Sequence, residues 1–375
     1  MKITDIQLTQ DSDFAIASAR VSFEQSDHPD KHVYVKTPKA YARGFGANPD
    51  AFLVGCLLPA LHLGEKRIFV EEAVCPFLKE GVHVAMHILS HWTQGRYVPI
   101  PVESGVRKHQ DMPAPRAGMV MSGGMDSLAA LRQNRLHYPD THPAYVRDSF
   151  FLHGFDIGGV RERGAKLHVF DRALTAASRI TRDAGTTLVP VYTNIRHLCD
   201  ERDLWLDSFF GAVLAAMAHN FSSRINLMFI ASSYDIPNLH PCGSHPLLDP
   251  EYSSYGMRIR HRDYEMSRLE KIQIVSEWDT AFHNFRVCLA NVPDLLNCGR
   301  CEKCVRTMTE LTALGLLHKT RAFAADAVHP EDISRFDITI RVRPPFYRPL
   351  IPLLRKQGRD DLADTIKTLL AGSGR

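Results

Sequence analysis

The chain has 375 residues, of which 45% are hydrophobic and 23% are charged, and this composition is typical of a globular protein with one large core or two domains. Its net charge of +3 suits anionic ligands but does not by itself predict a nucleic-acid-binding surface. The sequence shows no apolar run of membrane-spanning length and no signal-peptide pattern, so we expect a cytoplasmic protein.

Residues 1–112 alternate between patterns typical of strands and patterns typical of helices. Strand patterns fall at residues 2–8, 14–23, 32–35 and 67–70, and helical patterns fall at residues 51–62 and 81–92. We therefore predict a small N-terminal α+β domain. The next segment has a composition typical of a linker, with four prolines: Pro99, Pro101, Pro113 and Pro115. A second domain is predicted to begin at residue 113.

The stretch from residue 117 to residue 134 combines a short apolar run, a polar turn and the start of a helix. The turn reads SGGMDS and contains Ser122, Gly123, Gly124, Asp126 and Ser127. Such a turn aims backbone N–H groups and the positive end of a helix at an anion. The glycines allow a ligand to approach the backbone, and Asp126 offers a carboxylate to Mg²⁺. We predict a phosphate-binding loop; the alternative is an ordinary connection in which a serine or aspartate caps the helix.

Strand and helix patterns alternate after this loop. Further strands are predicted at residues 149–155, 186–192 and 226–231, and helices at residues 165–182 and 204–221. Alternation of this kind predicts a doubly wound α/β domain with a mostly parallel sheet, which we assign to residues 113–320. In such sheets a ligand binds beyond the carboxyl ends of the strands, where the strand order reverses. The SGGMDS loop satisfies that placement.

Polar side chains follow the later strands. Asp156 follows the second strand and is either a contact for ribose, adenine or Mg²⁺ or a helix cap. Arg196 follows the third and either clamps a carboxylate or phosphate or belongs to the surface. Residues 232–255 follow the fourth, and a loop of this length predicts a binding role. Its candidate contacts are Ser232, Asp235, His240, Ser244, His245, Asp249 and Ser253, with Cys242 as either a nucleophile or part of a turn.

Four cysteines late in the chain have the spacing C-x₉-C-x₂-C-x₂-C. They are Cys288, Cys298, Cys301 and Cys304. We predict a structural Zn²⁺ knuckle, to which a strand over residues 285–289 brings Cys288. An iron–sulfur cluster and free thiols are the alternatives. His283 or His318 could replace one ligand if Cys288 does not take part.

The remaining segments have helical patterns. Residues 266–278 predict an amphipathic helix, on which a lysine such as Lys271 is commonly solvated. Helices are also predicted at residues 307–317 and 353–370, and residues 321–375 form a C-terminal helical extension. Four arginines in this extension form either a basic patch or a solvated surface: Arg341, Arg343, Arg348 and Arg355.

The SGGMDS turn resembles the PP-loop of the N-type ATP pyrophosphatases. Together with the later cysteine knuckle, residues 117–310 resemble the 7-cyano-7-deazaguanine synthases of queuosine biosynthesis. The resemblance implies an adenine nucleotide alpha hydrolase-like fold and a cytoplasmic ligase that binds ATP and Mg²⁺. It implies catalytic roles for Asp126, Ser127 and Lys271, since the lysine in SRLEKI matches one in these relatives. Ser122, Gly123, Gly124 and Asp156 would join Asp126 and Ser127 in holding ATP.

The chain also departs from the synthase pattern. About 110 residues precede the loop, whereas the synthases begin near it, and residues 153–159 read HGFDIGG rather than the usual D-x-G-Q type. Long proteins of this kind resemble synthase-like members of bacterial anti-phage operons.

The resemblance implies that a carboxylate similar to 7-carboxy-7-deazaguanine is adenylated, and that ammonia or an amine then displaces AMP. A tRNA sulfurtransferase and a nucleotide-binding scaffold of a defence complex are the alternative functions. A homodimer, a protein of the same operon and a nucleic acid stay open as partners.

Overall fold

The computed structural model describes residues 1–108, 115–340 and 343–372. Pro113, Arg341 and the predicted boundary between residues 112 and 113 lie outside this part. The described residues form one 10-stranded sheet with the order β10-β9-β6-β7-β8-β3-β2-β1-β4-β5. The strands are β1 (Lys2–Gln10), β2 (Phe14–Ser22), β3 (Lys31–Pro38), β4 (Ile68–Val70), β5 (Val102–Glu103), β6 (Ala117–Val120), β7 (Val146–His153), β8 (Thr187–Thr193), β9 (Leu227–Ala231) and β10 (Arg258–Arg262).

Strand direction divides the sheet into three regions. Strands β10, β9, β6, β7 and β8 run parallel to one another. Strands β8, β3, β2 and β1 pair antiparallel, and β1, β4 and β5 are again parallel. From β6 the chain proceeds to β7 and β8 on one side and later to β9 and β10 on the other, so the strand order reverses at β6. The prediction of an α/β fold with a mostly parallel sheet is confirmed.

Helices cover both faces of the sheet. They are α1 (Pro49–His62), α2 (Pro76–Trp92), α3 (Met125–His137), α4 (Leu167–Asp183), α5 (Arg202–Leu204), α6 (Phe210–Asn220), α7 (Arg268–Ser276), α8 (Asp279–Asn284), α9 (Glu302–Ala313), α10 (Pro330–Ser334), α11 (Pro344–Tyr347), α12 (Leu350–Lys356) and α13 (Asp360–Ala371). None of the helices in the described ranges combines the length and apolar character that crossing a bilayer requires.

Two hydrophobic cores lie on opposite faces of the sheet, because successive side chains of a strand point to opposite sides. Phe150 of β7 belongs to the core formed with α1, α2 and α6. Its neighbour Phe151 belongs to the core formed with α3, α4, α7 and the helices that follow. Each face of the central strands is thus buried beneath helices.

The N-terminal strands extend the same sheet. Strand β3 pairs with β8, with Val35 opposite Thr193. The Thr37 hydroxyl donates a hydrogen bond to the Pro190 carbonyl at 2.8 Å. Residues 1–108 therefore share both a sheet and a core with the region after the linker, while the predicted division into domains stays a prediction.

Several predicted elements differ from the structure. Residues 285–289 form no strand, because the segment leaves the sheet and Arg286 N–H donates to the Gly123 carbonyl at 2.8 Å. The helix predicted at residues 353–370 is two helices, since Gly358 adopts φ +69° between α12 and α13. The helix predicted at residues 204–221 contains a π-helical turn, Trp205–Phe209. Strands β5 and β10 were not predicted.

Candidate functional site

The polar turn after β6 is held in shape by its own serines. Ser122 Oγ lies 3.1 Å from Ser127 Oγ and accepts a hydrogen bond from Gly124 N–H at 3.2 Å. Ser127 Oγ donates to the Gly124 carbonyl at 3.0 Å. Gly123 adopts φ +74°, a conformation that favours glycine. These contacts hold the backbone of the turn in one conformation.

Helix α3 begins in this turn without a side-chain cap. Its N-cap residue is Gly124, which has no side chain with which to cap the helix. The alternative in which a serine or aspartate caps the helix is therefore wrong. The first amide groups of a helix have no partners within the helix, and the helix dipole makes this end positive. A Cβ built on Gly123 would meet nothing within 4 Å, so a ligand has room to approach the backbone.

Asp126 projects from the first turn of α3 toward two cations of α7. Arg268 Nη1 lies 3.3 Å from both of its carboxylate oxygens. Lys271 Nζ lies 3.9 Å from Oδ1. The Asp126 side chain keeps 28% of its surface exposed. The predicted Mg²⁺ ligand is thus accessible, and both of its contacts are longer than a strong charged hydrogen bond.

A buried acid supports Arg268 from the opposite side. Glu310 of α9 is fully buried, and its Oε2 accepts from Arg268 Nε at 3.2 Å. Burial raises the pKa of Glu310. Burial alone would lower the pKa of Arg268, but the charges of Glu310 and Asp126 outweigh it and raise that pKa. Arg268 therefore stays charged between two carboxyl groups.

The sequence interpretation missed Arg268 and Glu310. Arg268 stands three residues before Lys271, and this spacing on a helix could have placed both cations on one face. Glu310 lies between Met308 and Leu311, which face the core, so an acid within an apolar helix face was the available signal.

Lys271 is buried rather than solvated. Its residue is 1% exposed, and Nζ donates to the Ser232 carbonyl at 2.7 Å. The alternative of a solvated helix lysine is therefore wrong. The contact joins α7 to the first residue after β9, and it directs a positive charge toward the carboxyl ends of the central strands.

Asp156 is exposed at the end of β7. Its carbonyl accepts from Asn291 Nδ2 at 2.6 Å, and Asn291 Oδ1 accepts from Arg286. Because Arg286 also bonds the carbonyl of Gly123, residues 286–291 connect the turn after β6 with the turn after β7. The two predicted binding segments therefore belong to one edge of the sheet.

Arg196 is a structural residue. Only 5% of it is exposed, its Nε donates to Asp200 at 2.9 Å, and its Nη1 donates to the Phe155 carbonyl at 3.2 Å. Its guanidinium also lies 4.4 Å from the Trp205 ring centroid. The alternative of a surface residue is wrong, and these contacts occupy the groups that a substrate clamp would need.

The loop of residues 232–255 binds mostly to itself and its neighbours. Ser244 Oγ donates to Asp249 Oδ2 at 2.6 Å, and the same carboxylate oxygen lies 2.8 Å from His261 Nδ1. The other five candidate contacts also have partners within the loop or in the strand that follows it. Asp235 accepts a hydrogen bond from Asn238, and His240 and Ser232 bond the carbonyl groups of Asn238 and Tyr234. His245 and Ser253 accept from the N–H groups of Leu247 and Ile259.

Cys242 in the same loop is poorly suited to nucleophilic attack. It is 7% exposed, and its thiol donates to the Ser244 carbonyl at 3.3 Å. Burial raises its pKa to about 11. Because the thiolate is the reactive form, this environment favours an unreactive thiol.

The four late cysteines converge as the spacing predicted. Their sulfur atoms all lie within 4.8 Å of one another, with Cys298 and Cys304 at 3.9 Å and Cys288 and Cys301 at 4.0 Å. A tetrahedral Zn²⁺ site has S···S distances of about 3.8 Å. Amide groups of Arg300 and Cys301 donate to Cys298 Sγ. The donor set fits Zn²⁺, and neither histidine considered as a replacement belongs to the group.

Two of the three described arginines considered for a basic patch have acidic or backbone partners. Arg343 donates to the Asp337 carbonyl at 2.7 Å, and Arg355 pairs with Asp364 at 3.0 Å. Arg348 is exposed. A solvated surface describes these three residues better than a basic patch does.

No protein-family model, no curated protein and no solved structure matches this chain. Its functional assignment therefore depends on its own residues. Those residues place a helix N-terminus, two serine hydroxyls, an accessible carboxylate, the buried Lys271 and the partly buried Arg268 at one edge of the sheet. This combination can bind a polyanion and a divalent cation. The cysteine cluster is a separate centre, formed by the segment between α8 and α9 and by Cys304 in the first turn of α9.

Proposed function

We propose that the protein uses ATP to activate a carboxylate, releasing AMP and pyrophosphate, within an adenine nucleotide alpha hydrolase-like fold. One observation carries the proposal: Arg268 and Lys271 face Asp126 beside the N-terminus of α3, which has no side-chain cap. The turn stands where the strand order reverses, as expected for a nucleotide site in a parallel sheet.

Each group in the site has a role in this proposal. Backbone amides at the start of α3 and the hydroxyls of Ser122 and Ser127 bind the pyrophosphate portion. Lys271 and Arg268 stabilise the negative charge that moves onto pyrophosphate as it leaves. Asp126 would hold Mg²⁺, which supplies charge neutralisation on the phosphates when it is bound. Asp156, exposed at the neighbouring strand end, contributes to nucleotide binding.

The proposed reaction has two steps. A carboxylate oxygen of the substrate attacks the α-phosphorus, the bond to the β-bridging oxygen breaks, and pyrophosphate leaves with the electron pair. Ammonia or an amine then attacks the acyl carbon, AMP leaves, and the nitrogen loses a proton to give an amide. A nitrile would require the further loss of one water. A substrate similar to 7-carboxy-7-deazaguanine agrees with the resemblance of residues 117–310 to the deazaguanine synthases.

The two alternative functions predict different products. A tRNA sulfurtransferase needs a reactive sulfur, and the burial of Cys242 together with its raised pKa disfavours that residue. A nucleotide-binding scaffold would bind ATP without forming AMP. Measurement of AMP separates that scaffold from an AMP-forming enzyme.

The decisive experiment measures AMP release with candidate acids, followed by ATP–pyrophosphate exchange with the active acid. The screen includes 7-carboxy-7-deazaguanine, other carboxylic acids and tRNA. We expect Asp126→Ala to lower exchange by at least about 100-fold, the scale on which one electrostatic group contributes to catalysis. The control is Asp171→Ala, since Asp171 is exposed on α4. Exchange that is unchanged in Asp126→Ala, or no AMP with any acid, would contradict the proposal.

A further inference from the structure

A second group of metal-binding side chains lies away from the cysteine cluster. It consists of His62, the last residue of α1, and Cys199 and Glu201, which follow β8. One ligand atom from each lies within 4.8 Å of the others. His62 Nε2 is 2.9 Å from Glu201 Oε1, and Cys199 Sγ is 3.8 Å from the same oxygen. Elements far apart in sequence therefore bring an imidazole, a thiol and a carboxylate to one point.

We propose that His62, Cys199 and Glu201 bind one divalent transition-metal ion of the Zn²⁺ type and leave a coordination position open. Nitrogen, sulfur and carboxylate oxygen are the three donor types that Zn²⁺ uses in proteins. Three protein ligands with a fourth position for water are typical of open rather than structural sites. This site is independent of the proposed ATP chemistry.

The surroundings of His62 support a ligand role. Its Nδ1 lies 3.1 Å from the Tyr97 hydroxyl, and Tyr97 is 4% exposed. Metal-binding histidines usually hydrogen-bond a neighbour through the second ring nitrogen, which orients the ring and selects the tautomer. Tyr97 therefore holds Nε2 toward Cys199 and Glu201, and it acts as a positioning residue.

Two of the three ligands are mostly buried and the third is exposed, so an ion can reach the site from solvent. The His62 side chain and Cys199 are each 8% exposed, whereas the Glu201 side chain is 62% exposed. Nitrogen and oxygen ligands of one Zn²⁺ lie about 3.3 Å apart, so Glu201 must move outward by a few tenths of an ångström from its 2.9 Å contact. Its exposure permits that movement and leaves one side of the ion open to solvent.

The chain before Cys199 is fixed independently of an ion. Lys31 Nζ donates to the carbonyl groups of His197 and Leu198 at 2.7 Å and 3.1 Å. A simple ion pair between His62 and Glu201 would explain their contact but would need no thiol beside it. The convergence of Cys199 is what favours a metal site over that ion pair.

The test counts ions in the purified full-length protein after equilibrium dialysis against micromolar Zn²⁺. We expect two ions per chain in the wild type and one in Glu201→Gln and in His62→Ala. Asp203→Asn is the matched control, because Asp203 is an acid two residues from Glu201 and lies outside the group; it should keep two. Cys298→Ser tests the cysteine centre separately and should lose only the other ion.

Two further measurements identify the ligands. In the Co²⁺-loaded protein, the wild-type spectrum minus that of Cys199→Ser should contain the charge-transfer band of a single thiolate. Tyr97→Phe should weaken Zn²⁺ binding at this site by about 10- to 100-fold, as expected when a neighbouring hydrogen bond to a ligand is removed. An ion count in both Glu201→Gln and His62→Ala that equals the wild-type count would overturn the proposal. Thermal unfolding of each variant checks that it is folded.

Discussion

Two aspartates at opposite ends of the parallel strands are each flanked by two cations, but their geometries differ. Asp148, near the start of β7, is fully buried and accepts from Arg116 at 2.7 Å and from Arg224 at 2.8 Å. Asp126, beyond the end of β6, keeps 28% of its side chain exposed, with its cations at 3.3 Å and 3.9 Å. The first carboxylate is saturated by short contacts, whereas the second can exchange its partners.

The difference separates a structural charge cluster from a binding cluster. A buried carboxylate with two short charged hydrogen bonds stabilises the fold only while all partners remain, because each would be left as an unpaired charge. Longer contacts at an accessible carboxylate contribute little to stability. Their cations are available to a ligand that carries more negative charge than a single aspartate.

The largest expected effect is the loss of stability in Asp148→Asn. The substitution keeps the shape of the side chain but leaves Arg116 and Arg224 without their anion. We expect the free energy of unfolding to fall by about 3 kcal/mol, the low end of the range for broken buried pairs, because the Arg116 side chain is 39% exposed and stays solvated. Urea denaturation measures the change, with Asp171→Asn as an exposed control. A loss below about 1 kcal/mol is the range of surface ion pairs. It would show that the charges around Asp148 do not differ in kind from those around Asp126.

The same variant should show a pH-dependent difference from the wild type. Burial alone would raise the pKa of Asp148, but hydrogen bonds from Arg116 and Arg224 outweigh burial and lower it from 3.8. A lowered carboxyl pKa contributes stability above about pH 4, and that stability is lost as the pH falls through the folded-state value. Unfolding curves of wild type and Asp148→Asn should therefore differ by a constant amount from pH 5 to pH 7 and converge below pH 4. If the difference in stability between wild type and Asp148→Asn persists below pH 4, the loss of stability comes from packing rather than from the charge of Asp148.

A smaller effect is expected for Arg268→Ala, which removes the cation between Asp126 and Glu310. Glu310 would remain buried without its charged partner, and we expect a loss of about 1–3 kcal/mol. Its pKa is already raised by burial, so protonation limits the cost. The double variant with Glu310→Gln should recover part of this loss in urea denaturation. A double variant less stable than the single one would show that Glu310 is stabilised by other contacts.

The smallest effect on stability is expected for Asp126→Asn. Its cations are distant and the carboxylate is accessible to water, so the free energy of unfolding should change by less than about 1 kcal/mol. The ATP–pyrophosphate exchange of this variant should nevertheless be strongly reduced, since the proposed Mg²⁺ ligand is lost. A large stability loss in urea denaturation would place Asp126 in the same class as Asp148.

The phosphate-loop pattern and the cysteine cluster could be identified from sequence because their residues are close together. The turn after β6 spans six consecutive positions, and three of the four cysteines lie within seven. The partners of Asp126 could not be found in this way, since Arg268 is 142 residues away. Its approach depends on the packing of α7 against α3, which no local pattern records.

The failure to predict β10 and the wrong prediction of a strand at residues 285–289 have different physical reasons. Strand β10 reads RIRHR, and its buried positions are Ile259 and His261. Because His261 is a polar residue, whose Nδ1 lies 2.8 Å from Asp249 Oδ2, the strand lacks a clear apolar alternation. Residues 285–289 have an apolar pattern, but Phe285 and Val287 are buried beneath helices rather than within the sheet. The apolar pattern there therefore reflects packing against helices, and the predicted strand was wrong.

The pairing of β3 with β8 has a consequence for shortened versions of the protein. A chain that begins at residue 115 would leave β8 as the outermost strand, with its unpaired N–H and carbonyl groups available to another molecule. It would also lose α1 and α2, which cover the apolar side of α6 and the central strands. Such a fragment is expected to self-associate through the exposed edge of β8. In the full chain, β3 covers this edge, so the N-terminal segment protects the protein against aggregation.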